Sequence, residues 1–267
     1  MYSEYILPLE ANYHTHTPRC GHAKGSERSY IEQAIAGGIR TLGFSDHVPY
    51  LFPGDYYSTF RMKIAEAEGY VETLLALKEE YKEQIHILIG YEMEYYPAFF
   101  DSTLRFLTNY PLDYLILGQH CLENEISGIY SSHATDQEAI LELYVDQVIE
   151  GLQTGVFSYL AHPDLIKFTG APAVYEKHCL RLCKAAKAMD IPLEINMLGL
   201  MEGRNYPSER FFSIASSVQN KIILGCDAHD PKVLSDRSLV GQAYEFAKSC
   251  GLKTDQKLTL RKPQNYF

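Results

Sequence analysis

The stretch IHILIGYEME, residues 85–94, opens as a short apolar run and closes on two carboxylates. A run of this length suits a buried strand better than a helix. Apolar residues recur at helical spacing on either side of it, over 62–83 and 98–109. Comparable runs lie at 39–44, 113–118, 155–160, 191–197 and 221–226, with a poorer one at 5–13 that contains Pro8. Helical segments at 27–37, 137–152, 174–189, 208–218 and 235–249 fall between and after them. The clearest places Ile140, Leu141, Tyr144, Val148, Ile149 and Leu152 on one face. Strand followed by helix, repeated about seven times, is the pattern of parallel βαβ units. The expected fold is therefore α/β: a distorted (β/α)7, TIM-like barrel in one domain over residues 1–267. An open doubly wound sheet is the competing architecture. The last segment, LKTDQKLTLRKPQNYF, reads as polar and peripheral.

Composition narrows the chemistry. The chain has 267 residues, of which 46% are hydrophobic, enough for a large core. Its start lacks a signal-peptide pattern, and no run reaches the ~18 apolar residues of a membrane span, so a cytoplasmic location is expected. Net charge is −10 and no basic block stands out. That balance argues against a long nucleic-acid partner, which needs a cationic stripe. Six scattered cysteines include no C-x-x-C pair, so neither a zinc ribbon nor a disulfide scaffold is expected. Cys179 and Cys183 continue an apolar helical stripe with Tyr175, Leu182, Ala186 and Met189, and are read as core.

The ends of the strands carry the signal. His14, His16 and His22 follow the first; Asp46 and His47 end the second; Glu92 and Glu94 follow the third. His120 ends the fourth in GQH, His162 and Asp164 the fifth in AHPD, and Asp227 and His229 the seventh in GCDAHD. Seven of the ten histidines thus sit at C-terminal strand ends, which open onto one face of a parallel barrel. His14-x-His16 and Asp227-x-His229 each send two side chains the same way on extended backbone. Imidazole and carboxylate together are ligands for zinc, manganese or iron. Glu92 is preferred to Glu94 as a ligand because it lies closer to the strand, and Asp46 either ligates or orients a ligand. His86, His133 and His178 are read as structural or solvated, His178 on a helix surface.

NYHTHT, GFSDH, GYEMEY, GQH, AHPD and GCDAHD, in this order, resemble the polymerase and histidinol phosphatase superfamily. LEIN at 193–196, GL at 199–200 and YPS at 206–208 resemble its histidinol-phosphate phosphatase branch. The resemblance implies a barrel of seven βα units with two or three divalent ions at its C-terminal face. It implies that His14, His16, Glu92 and Asp227 hold one ion and that Glu92, His120 and His162 hold a second. His22, His47 and His229 would hold the third. Glu92, Asp227 and His162 are the catalytic members of the set. Met201 stands where the branch often has a basic residue, with Arg204 three positions later.

The implied reaction is hydrolysis of a phosphate monoester, L-histidinol phosphate, by metal-activated hydroxide, as in histidine biosynthesis. A broader phosphoesterase acting on nucleotides or short DNA ends and a non-catalytic module are the alternatives. The partner is then a small phosphorylated substrate. Its phosphate calls for a cation at the rim: Arg204 first, then Lys24, then Arg61.

Overall fold

The computed structural model describes residues 8–266. Eight parallel strands form one sheet in chain order. They are β1 (Ala11–Asn12), β2 (Thr41–His47), β3 (His86–Met93), β4 (Tyr114–Leu117), β5 (Phe157–Leu160), β6 (Leu193–Asn196), β7 (Ile222–Gly225) and β8 (Thr254–Asp255). The helices between and after them are α1 (Glu27–Gly37), α2 (Ala67–Glu80), α3 (Phe100–Leu107), α4 (Glu138–Gln153), α5 (Pro172–Ala188), α6 (Met197–Glu202), α7 (Glu209–Val218) and α8 (Arg237–Ser249). Each of the seven helical segments expected from periodicity is present, and α6 is a short addition. The poor strand expected at 5–13 is reduced to β1, with its first three residues outside those described.

Alternation along the strands divides the core in two. Ile87, Ile89, Leu115, Leu117, Leu193 and Ile195 face outward, under a layer that includes Tyr30 of α1, Leu74 of α2 and Leu182 of α5. Ala11, Tyr13, Leu88, Tyr114, Ile116, Tyr159 and Ile223 face the barrel axis as a second cluster. The parity that turns Leu88 inward also turns Glu92 inward two pairs later on β3. Apolar residues therefore fill the lower barrel, and polar ones of the same register take over above. At that upper end Thr15 and Ala228 form a parallel bridge joining the continuations of β1 and β7. Its two hydrogen bonds, His16 N–H to Ala228 O (3.0 Å) and Ala228 N–H to His14 O (3.2 Å), bring the first and seventh strand ends together.

Two expectations need correction. The C-terminal segment expected to be peripheral supplies β8, paired with β7, and covers the lower end of the barrel. Leu258 and Leu260 pack against the inner cluster, and the Arg261 N–H donates to Ser158 Oγ at 3.0 Å. Their period-two spacing among polar neighbours hides this role in a reading based on overall polarity. His178 is not on a helix surface: it is 1% exposed, and its ring Nε2 lies 3.0 Å from Glu138 Oε1. Helix α5 packs against both α4 and α7, so its buried stripe is wider than one face.

Replacing both Leu258 and Leu260 with Ala should lower unfolding stability by about 2 kcal/mol, from their partial burial. His178→Asn should cost about 1–2 kcal/mol through the buried partner it removes, with bound metal unchanged. Urea unfolding of both variants checks these values; a wild-type midpoint for the leucine pair would return the segment to the periphery.

Candidate metal centre

The nine side chains expected as ligands converge at the upper end of the barrel. Glu92, at the end of β3, stands at the centre. Its Oε1 lies 2.8 Å from His162 Nε2 and 3.6 Å from His120 Nε2. Its Oε2 lies 3.1 Å from His47 Nδ1, 3.5 Å from His14 Nε2 and 3.6 Å from His16 Nε2. Asp227 Oδ1 is 3.1 Å from His16 Nε2 and 3.5 Å from His14 Nε2. The His229 ring stacks on those of His16 (4.0 Å) and His22 (4.6 Å). A β-carbon on Gly118 would collide with the Glu92 carboxylate, and one on Gly225 with that of Glu194. Glycine at these two points therefore makes room for two buried carboxylates. His162 and Asp227 themselves adopt left-handed backbone, φ 29° and 47°. Such strain persists only where the surroundings impose it, and it is concentrated at functional positions.

Most of these imidazoles are held from behind through Nδ1. That of His14 donates to Glu194 Oε1 at 2.9 Å, and that of His120 to Glu94 Oε1 at 2.9 Å. Those of His22 and His229 donate to the carbonyls of Cys20 and Asp227, each at 3.0 Å. His16 Nδ1 lies 3.4 Å from Asp46 Oδ1, and Asp46 Oδ2 accepts from the Thr17 N–H and hydroxyl. Asp46 thus orients His16, and Glu94 orients His120. A proton fixed on Nδ1 leaves the Nε2 lone pair for the centre.

Glu194 and Asn196 were missed as site residues. Glu194 Oε2 accepts from the His162 N–H (3.0 Å) and from Asn196 Nδ2 (2.9 Å). Asn196 Nδ2 also donates to Asp227 Oδ2 at 3.1 Å, and its Oδ1 caps α6 through the Gly199 N–H. The available signal was a carboxylate and an amide two apart within a buried strand, where each needs a partner.

Burial would by itself raise the Glu92 and Asp227 carboxyls, yet neighbouring imidazoles outweigh it and hold both well below the usual range. Burial would lower His16, but the neighbouring Asp227 and Asp46 carboxylates push it up to about 9. Burial and the His16 ring together press His229 down to about 3.

The donor set fits divalent cations. His14 Nε2, His16 Nε2, His47 Nδ1 and His229 Nε2 are buried without a hydrogen-bond partner, an arrangement that costs free energy unless something binds there. Close groupings include His16, His47 and His229; His14, His162 and Asp227; and His14, His16 and Glu92. The first two groupings share no residue, so the donor set accommodates more than one ion. A further grouping adds Cys20 to His22 and His229. Cys20 is buried, and burial pushes its thiol up to about 12, which keeps it protonated.

A cavity of about 470 Å³ opens over the cluster, walled by His22, His47, His120, Asp227 and His229 and, on the other sides, by Phe60, Tyr130, Leu198, Glu202, Arg204 and Tyr206. Arg204 is therefore part of the cavity wall. Its Nε and Nη2 contact Glu202 Oε2 at 2.7 and 2.6 Å, and its Nη1 donates to the Tyr206 hydroxyl at 2.6 Å. Asp164 Oδ2 accepts from the Ser208 N–H at 2.6 Å and Asn205 Nδ2 donates to the Leu165 carbonyl at 3.1 Å, so the AHPD turn pins this segment. Lys24 is absent from the cavity wall; its side chain is exposed while its N–H donates to the His229 carbonyl at 2.8 Å. Arg61 is 4% exposed and occupied by Glu94 and Glu125, so it does not face a substrate. His86 and His133 are exposed and away from the site.

The PHP domain family model matches residues 12–198. The chain belongs to the PHP domain family. The chain is 27% identical over 270 residues to the histidinol-phosphatase of Bacillus subtilis, covering 89% of this chain and 98% of that protein. It is 28% identical over 272 residues to the histidinol-phosphatase of Lactococcus lactis, covering 92% and 96%. A crystal structure of histidinol phosphate phosphatase from Lactococcus lactis, complexed with zinc, L-histidinol and phosphate, shares the fold. Its TM-score is 0.72 at 22% identity, over 94% of this chain and 99% of that one. The eight-stranded α/β barrel is thus that of a PHP domain. Among the described residues no helix is long and apolar enough to cross a membrane.

Glu194→Gln keeps the shape of the side chain but weakens the charged acceptor behind His14. Metal affinity should fall about ten- to a hundredfold, the usual cost of losing such a support. Competition with a chromophoric chelator measures this, and unchanged affinity would remove Glu194 from the centre.

Proposed function

We propose that this PHP domain is a metal-dependent phosphatase that hydrolyses L-histidinol phosphate to L-histidinol and phosphate. The observation that carries the reading is Glu92, buried among five imidazoles beside Asp227 and opening onto a cavity with Arg204 on its wall. The names of relatives that align along most of the chain support the substrate. His14, His16, Glu92 and Asp227 would hold one ion, His120 and His162 with Glu92 another, and His22, His47 and His229 a third.

When bound, such ions supply Lewis acidity toward phosphoryl oxygens and an activated water. The chain's own groups do the rest. Glu92 and Asp227 offset the clustered positive charge. Arg204 uses three N–H groups on Glu202 and Tyr206, which leaves two of its five for phosphoryl oxygens. Tyr206 is raised far above its ordinary value by burial, so it stays protonated. Because its oxygen accepts from Arg204, the Tyr206 proton remains to donate to an ester oxygen. Leu198 and Phe60 give the alcohol portion apolar contacts.

Phosphate release from L-histidinol phosphate, nucleotides, short 5′-phosphorylated DNA and an aryl phosphate tests the proposal. Histidinol phosphate should give the highest kcat/KM; a preference for nucleotides or DNA ends would replace it. Purified without chelator, the protein should carry two or three transition-metal ions per chain by elemental analysis. Less than one, with no recovery on addition, would refute the centre. Arg204→Ala should lower kcat/KM about ten- to a hundredfold with metal content unchanged, the worth of one charge-assisted contact. Wild-type kinetics in this variant would exclude Arg204 from substrate capture.

A further inference from the structure

Arg61 lies in the connection between β2 and α2, and no step above uses it. It is nonetheless among the most enclosed charges in the molecule. Its Nη2 and Nη1 fork onto the two oxygens of Glu94 at 2.9 and 3.2 Å. Its Nε and Nη2 reach Glu125 Oε2 at 2.8 and 2.5 Å, and its Nη1 also donates to the Val48 carbonyl at 3.1 Å. The guanidinium sits 4.4 Å above the ring of Phe60, which meets the rings of His47 and His120 edge-on. Both carboxylates are buried as well, at 0% and 5% side-chain exposure.

The two partners lead in different directions. Glu94 holds His120 Nδ1, so its position sets the tautomer and aim of the ring whose Nε2 faces Glu92. Glu125 belongs to the connection between β4 and α4, which also carries His120 itself and the cavity residue Tyr130. Two carboxylates share one guanidinium; His120 Nδ1 is a further partner of Glu94 at 2.9 Å, and the Tyr56 hydroxyl donates to Glu125 Oε1 at 3.0 Å. A planar fork is required to bridge two carboxylates in this way; an ammonium cannot reproduce it.

We infer that Arg61 is a positioning residue that links the His120 metal subsite to the 121–130 rim segment, holding His120 through Glu94 and the rim through Glu125. The inference rests on the metal-centre reading above but not on the identity of the substrate. Removing Arg61 leaves Glu94 with His120 and Glu125 with the Tyr56 hydroxyl as side-chain partners, and neither carboxylate keeps the fork that fixes its position. His120 then loses its fixed acceptor, while the rim loses its anchor.

The test uses the full chain, stripped of metal and titrated with zinc against a chromophoric chelator. Arg61→Met should weaken binding of one equivalent about ten- to a hundredfold and spare the others. Glu94→Gln should do the same. The double variant should be no worse than the weaker single, because both act through one chain of contacts. Glu125→Gln should keep affinity within about twofold but expose 121–130 to limited proteolysis, since only the rim half of the link is cut. Unchanged affinity in Arg61→Met, additive losses in the double variant, or equal loss at every equivalent would each overturn the inference. Should Arg61→Met fail to fold, the two shape-preserving variants decide it: Glu94→Gln must lose affinity and Glu125→Gln must not. Failure to hydrolyse histidinol phosphate, with this metal pattern intact, would overturn the proposed substrate and leave the link standing.

Discussion

A carboxylate buried among imidazoles is the constraint on which the upper half of this molecule is built. Glu92 sits within 3.6 Å of five histidine rings and is 1% exposed. Removing such a group from water is costly unless every surrounding polar atom is matched. The layers behind the centre supply that matching. Glu194, Glu94 and Asp46 stand behind His14, His120 and His16, and Asn196, Thr17 and Arg61 in turn hold those carboxylates. The polar content of the barrel's upper end is thus one connected network, and a fault in any member is felt at the ring it orients.

The barrel below serves this network by being apolar and full. Tyr13, Leu88, Tyr114, Tyr159 and Ile223 occupy the axis, and Leu258 and Leu260 cover the lower end. With water kept from beneath, ligands must be satisfied by each other, by their supports or by a cation from above. The cavity above is walled on one side by histidines and Asp227 and on the other by aromatic, apolar and charged groups. Phe60, Tyr130, Leu198, Glu202, Arg204 and Tyr206, which form the second wall, belong to connections and the short α6 rather than to strands.

The sequence by itself determined the strand–helix alternation, the common face of the strand ends and the identity of the nine convergent side chains. Those properties are carried by local periodicity and by residue type at a definite place in each repeat, and both are visible along a chain. Only the tertiary structure decided what stands behind the ligands. Glu194 meets His14 across 180 positions, and Arg61 joins Glu94 to Glu125 across 33 and 64. Nothing local marks such a residue, because a buried ion pair is defined by the partner that compensates it. The same reason hid His178 within α5 and Leu258 and Leu260 under the barrel. Burial depends on which other elements pack over a residue, and that is settled only when the sheet has curled and the helices have closed around it.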